Sequence, residues 1–141
     1  MKIKLSLLFA LLFSTLINTS AFAGSDKHLF VNLTTDDIDR AAMAVGISKK
    51  VLSTKKISAT IFLSAQGVRW ADKNIPQNIH ANGKTVPQMF QEFINAGGQV
   101  IICQMCMKNV GGIKKNELID GIKSGGAIEA LFADNTTVLT Y

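Results

Sequence analysis

Cys103 and Cys106 are the only two cysteines among 141 residues, and they stand three positions apart at the end of the apolar run Val100-Ile101-Ile102. A Cys-x-x-Cys pair can act as a redox couple, one thiolate attacking a substrate and the other resolving the mixed disulfide. Thioredoxin-like pairs follow an early strand and open a long helix, whereas this one follows a late strand and soon meets Gly111-Gly112. Haem attachment needs a histidine directly after the second cysteine, and Met107 stands there. Zinc would need two more ligands, for which the chain offers only His28 and His80. Copper(I) would accept two soft thiolates with Met105 and Met107 nearby, although methionines in such positions serve packing as readily. A passive disulfide in a binding module is a further alternative. No Ser-His-Asp arrangement or cofactor motif is present, so no cofactor and no resident metal is expected, and catalysis itself stays open.

The N-terminus frames these choices. Lys2 and Lys4 precede an apolar core, Leu5 to Ile17, and Ala21-Phe22-Ala23 follows as a small-x-small site. That layout is a secretory signal peptide over residues 1–23, too short in its apolar core to span a bilayer. The expected product, residues 24–141, is one domain large enough for a real core. Of the formal charge of +5, about +3 would remain after cleavage, on scattered basic residues. Neither a nucleic-acid partner nor, after cleavage, a membrane surface follows from it. A periplasmic location is expected, and two cysteines are too few for a stapled scaffold, so the pair reads as chemical rather than architectural.

The elements that must position the pair come from periodicity. His28 to Thr34 reads as a strand, followed by a helix capped by Thr35 or Asp36 with Ile38, Ala41, Ala42 and Val45 on one face. Ile57 to Gly67 reads as a second strand, apolar or β-branched on both sides, so both sheet faces are expected to be covered. Val68 to Thr85 reads as a long loop around Pro76 and Asn82-Gly83. Met89, Phe90, Phe93 and Ile94 define a helix that stops at Gly97-Gly98, and the strand ending in Cys103 follows. Leu118, Ile119 and Ile122 suggest another helix ending at Gly125, then a short helix near Ala127 to Asn135 and a last strand at Thr136 to Tyr141. Such alternation indicates an α/β domain with a mainly parallel sheet.

In an open α/β sheet, chemistry sits beyond the carboxyl ends of the strands. Cys103 is at such an end. The segments leaving the first two strands belong to the same edge, which makes Thr34, Gln66, Arg69 and Trp70 candidate substrate-binding residues, with Lys108 beside the cysteines. If the chain turns into a helix after Cys103, free backbone N–H groups would stabilise a thiolate there. Trp70 and Ile75, read as exposed in the long loop, suggest a surface covered by another subunit.

The run "ATIFLSAQGVRWA", the segment "GGQVIICQMCMKNVGGIKKNELIDGI" and the terminal "VLTY" together resemble the DsrE family, also called DsrE/DsrF-like. The specific part is a strand ending in cysteine, a glycine eight residues later at Gly111, and then an expected amphipathic helix. The resemblance implies a flavodoxin-like three-layer sandwich of about five strands, assembled as a homo-oligomer, trimer or hexamer. It also implies sulfur carried as a persulfide on Cys103. Cys106 has no counterpart in the relay subunits, and Asn109 and Val110 replace the arginines that often precede their glycine. The reading that follows is a periplasmic protein of sulfur transfer or thiol redox chemistry, with Cys103 as carrier, Cys106 as resolving thiol, and a sulfur-donor or thiol-redox protein as partner.

Overall fold

A computed structural model describes residues 26–55 and 57–141 of the chain. The expected signal peptide lies outside the described residues. Five strands, β1 (His28–Leu33), β2 (Ser58–Leu63), β3 (Gln99–Cys103), β4 (Lys123–Gly125) and β5 (Thr136–Thr140), form one parallel sheet in the order β4-β3-β2-β1-β5.

Strand alternation assigns the two faces. Leu29, Val31 and Leu33 of β1, Ala59, Ile61 and Leu63 of β2, and Val100 and Ile102 of β3 are buried in one core. Two helices cover that face, α1 (Ile38–Lys55) and α2 (Val86–Asn95). Ala41, Ala44, Val45 and Ser48 form the buried stripe of α1, and Ser48 satisfies its hydroxyl on the carbonyl of Ala44 at 2.7 Å. The cap of α1 is Asp37, one residue later than read from sequence: its Oδ1 accepts from the N–H of Arg40 at 2.9 Å, while Thr35 Oγ1 accepts from Asp37. Helix α2 begins in a capping box between Thr85 and Gln88 and buries Val86, Met89, Phe90 and Phe93.

The second face is thinner than the sequence suggested, and the strand order explains why. Steps from β1 to β2, β3 and β4 all move one way across the sheet, so right-handed crossovers place their connections on one face. Only the return from β4 to β5 must cross the other face, and it carries a single four-residue helix, α4 (Ile128–Leu131). The architecture is the flavodoxin-like α/β sandwich, with its third layer reduced to this short crossover. No helix among the described residues is long and apolar enough to cross a membrane.

Three local readings change. The second strand stops at Leu63, and Ala65–Ala71 winds into a 3-10 helix rather than opening a loop at Val68. Trp70 is thereby turned inward and is only 8 % exposed, so it offers no surface to a partner. The helix expected to end at Gly125 is absent: Lys115–Glu117 makes one 3-10 turn, Leu118 bridges to Asp72, and the chain continues as strand β4. Gly121, at φ +85°, cannot extend a right-handed helix, which is why the apolar spacing misleads there.

Glu92 clamps α1 to the start of α2. Lys49 Nζ donates to its Oε2 at 2.6 Å, and Lys84 donates to its Oε1. Those two hydrogen bonds hold the Glu92 carboxyl at a pKa of about 2. A depressed folded-state value stabilises the protein above the ordinary carboxyl value of 4.5 and loses that effect as pH falls towards 2. Glu92→Gln should therefore lower Tm at pH 7 and converge with wild type below pH 2, and high salt should shrink the difference because the pair is partly exposed. Thermal melts across that pH range check it; a constant offset would refute the ionic origin.

Candidate functional site

Cys103 closes β3 and caps α3 (Gln104–Cys106), a single turn. The N–H of Cys106 donates to Cys103 Sγ at 3.3 Å. The turn passes directly into a π-helical segment, Met107–Gly111, and Gly112 at φ +64° reverses the chain so that the N–H of Ile113 reaches the carbonyl of Met107 at 2.9 Å. Met107 and Ile113 are buried and anchor this turn in the core.

The two thiols face different surroundings. Ile101 pairs with Phe62 in the β2–β3 register, so Cys103, two residues on, lies on the thinly covered face. Cys106 packs against the edge of the core instead. Its pKa is raised, first by its hydrogen bond with Cys103 and then by burial, while a backbone hydrogen bond from Ala65 works the other way. Ala65 occupies the left-handed region at φ 46°, a conformation that costs a non-glycine residue about 1–3 kcal/mol. Iodoacetamide should accordingly label Cys103 before Cys106, with Cys106 needing a higher pH than an ordinary thiol. Peptide mapping of partly alkylated protein gives the order directly, and equal rates at neutral pH would contradict it.

Cys103 opens on a groove of about 720 Å³ between the thin sheet face and α4. Phe30, Phe62 and Val138 form its floor, Ile128 and Leu131 one wall, and Gln104, Met105, Lys108 and Asn109 the end beside the thiol. Phe30 and Phe62 face each other with ring centroids 6.0 Å apart. Lys108 is the one charged residue in this lining.

Of the other residues read from sequence, none lines the groove. Thr34 donates its hydroxyl to the carbonyl of Tyr141 at 2.7 Å and ties the last strand to the first. Gln66 is exposed on the 3-10 helix. Arg69 is paired with Asp36 at 2.6 Å. Trp70 donates its indole N–H to the carbonyl of Thr35 at 3.0 Å and braces the same loop. Three of these four thus join the exits of the first strands to their neighbours. Sequence reasoning passed over Phe30, Phe62 and Val138, whose period-2 placement was the available signal. Among the described residues no three His, Cys, Asp or Glu side chains converge as a metal site.

Comparison with known proteins agrees with this geometry. A family model described as "DsrE/DsrF-like family" matches residues 28–141. No curated protein matches the sequence. Among solved structures, the crystal structure of the YchN protein from E. coli superposes with a TM-score of 0.63 at 21 % identity, covering 82 % of this chain and 98 % of that one. At that identity the superposition speaks to the fold.

Proposed function

The chain belongs to the DsrE/DsrF-like family, which supports a sulfur-relay or thiol-related role in general, and from that premise we propose that it is an exported sulfur carrier loading Cys103 as a persulfide. One observation carries the reading: Cys103 stands at the carboxyl end of β3, on the groove, with its Sγ held by a backbone N–H, while Cys106 is held back as a thiol against the core. In loading, the Cys103 thiolate attacks the outer sulfur of a persulfide donor; that S–S bond breaks and the donor leaves as a thiolate. In discharge without an acceptor, Cys106 loses its proton to solvent and attacks Cys103 Sγ. Hydrosulfide leaves, and a Cys103–Cys106 disulfide remains for a dithiol reductant to reopen. The raised pKa of Cys106 slows this second step and gives an acceptor time to take the sulfur first.

The test is intact mass after treatment with inorganic polysulfide, comparing wild type with each single serine variant. The rival reading, a binding module with a passive disulfide, requires a reduction potential below about −300 mV, and a working pair lies above it. Copper(I) held by the same thiols would show as stoichiometric metal lost on Cys103→Ser.

The carrier is proposed to work as a homo-oligomer in the periplasm. Trp70 is buried and contributes nothing to an assembly surface, while Ile75, at 38 % exposed, still does. Further support comes from α4 and its end, where Ile128 and Phe132 are 66 % and 76 % exposed. Light scattering at micromolar concentration should return the mass of a trimer or hexamer, and a monomer mass would end this claim.

A further inference from the structure

The groove is more than an entrance to Cys103. Its volume of about 720 Å³ falls within the range of roughly 300–1,000 Å³ typical of small-molecule sites. Its floor and wall are the apolar side chains of Phe30, Phe62, Val138, Ile128 and Leu131. Such surface gains free energy only from an apolar occupant. At the thiol end the charge is one-signed: Lys108 lines the groove, no carboxylate does, and Lys108 is absent from the ion pairs among the described residues. Concavity of this size suits a compact molecule better than a flat protein surface.

We propose that the groove binds a small amphiphilic anion, with its apolar body on Phe30, Phe62 and Val138 and its negative group at Lys108. Resting on the carrier reading, the bound molecule is a thiol or its persulfide, the low-molecular-weight partner in sulfur exchange. The exchange is balanced in either direction: the attacking thiolate takes the outer sulfur with its hydrogen, one S–S bond forms as another breaks, and the displaced sulfur departs as thiolate. A tail seated beside Cys103 would turn a chance encounter between thiols into a positioned one.

Binding can be separated from sulfur chemistry by using Cys103→Ser protein and probes that contain no sulfur. Calorimetric titration with hexanoate, octanoate and decanoate should give affinity rising about three- to fourfold per methylene. The 1-alkanol of equal length should bind several-fold more weakly. Lys108→Gln, at an exposed position, should bring carboxylate affinity down to that of the alcohol. Val138→Asp, at a side chain already 48 % exposed, should abolish binding by both. Absent binding, affinity independent of chain length, or carboxylate affinity unchanged in Lys108→Gln would each overturn the proposal, as would binding that appears only when dilution dissociates an oligomer, since a second copy would then fill the groove. Polysulfide loading of wild type reads the carrier function on its own: loading without carboxylate binding removes the groove proposal alone, whereas binding without loading removes the carrier reading and leaves an anion-binding groove.

Discussion

Cys106→Ser protein treated with polysulfide should retain one extra sulfur on Cys103 as the dominant species, where wild type shows it only transiently and ends as a disulfide two hydrogens lighter. Cys103→Ser should show neither. The asymmetry follows from placement. Cys103 faces the groove, where a donor can reach it, and Cys106 sits against the core with its proton retained by the hydrogen bond to Cys103 and by burial. Serine at position 106 keeps the backbone N–H that meets Cys103 Sγ, so the carrier is undisturbed and only the resolving attack is lost. Raising the pH should shorten the lifetime of the wild-type persulfide, because the resolving thiolate becomes available only as its elevated pKa is approached. Loading that survives Cys103→Ser and vanishes with Cys106→Ser would reverse the roles. Identical behaviour of all three proteins would favour the passive-disulfide module.

Gly67→Ala should be the most damaging methyl group that can be added near the site. A Cβ there would lie 2.2 Å from the carbonyl oxygen of Leu33, which is itself fixed by accepting the N–H of Ser64 at 3.0 Å. Backbone cannot yield as a side-chain tip can, so the 3-10 helix Ala65–Ala71 must move away from β1. Overpacking of this kind costs about 1–3 kcal/mol, a fall in Tm of roughly 5–15 °C. Because the backbone hydrogen bond from Ala65 favours the Cys106 thiolate, the same shift should remove it and slow alkylation of Cys106 while leaving Cys103 nearly unchanged. Gly46→Ala is the matched control. It lies within α1 with nothing within 4 Å of the added methyl, and it should stabilise by about 0.5–1 kcal/mol through helix propensity. If both variants melt alike, the close approach at Leu33 is not a constraint.

The legible parts of this fold were those set by local periodicity. The apolar stripe of α2 and the run into Cys103 could be read directly, and so could the place of the thiols at a strand end, because burial on one face leaves a repeating imprint. β4 left none, since Lys123-Ser124-Gly125 is too short to alternate. Trp70 was misjudged because its inward turn depends on a left-handed residue at Ala65, a conformation alanine does not advertise. The groove was hidden for a different reason. It exists because the one crossover assigned to that face is short, which is a property of strand order and not of any residue in the lining.

That strand order also bears on how the chain reaches its native state. β1 is flanked by β2 on one side and by β5 on the other, with His28 opposite Thr136 and the carbonyl of Tyr141 receiving both the N–H and the hydroxyl of Thr34. Pairing of the first strand with the last is among the most non-local contacts a chain can make, and such contacts form late and slowly. On the ribosome the sheet cannot close until β5 has emerged, because β5 is the outer neighbour of β1. A tag or truncation at Tyr141 would act on this closing step, and its signature would be a slower refolding rate ahead of any change in the thiols.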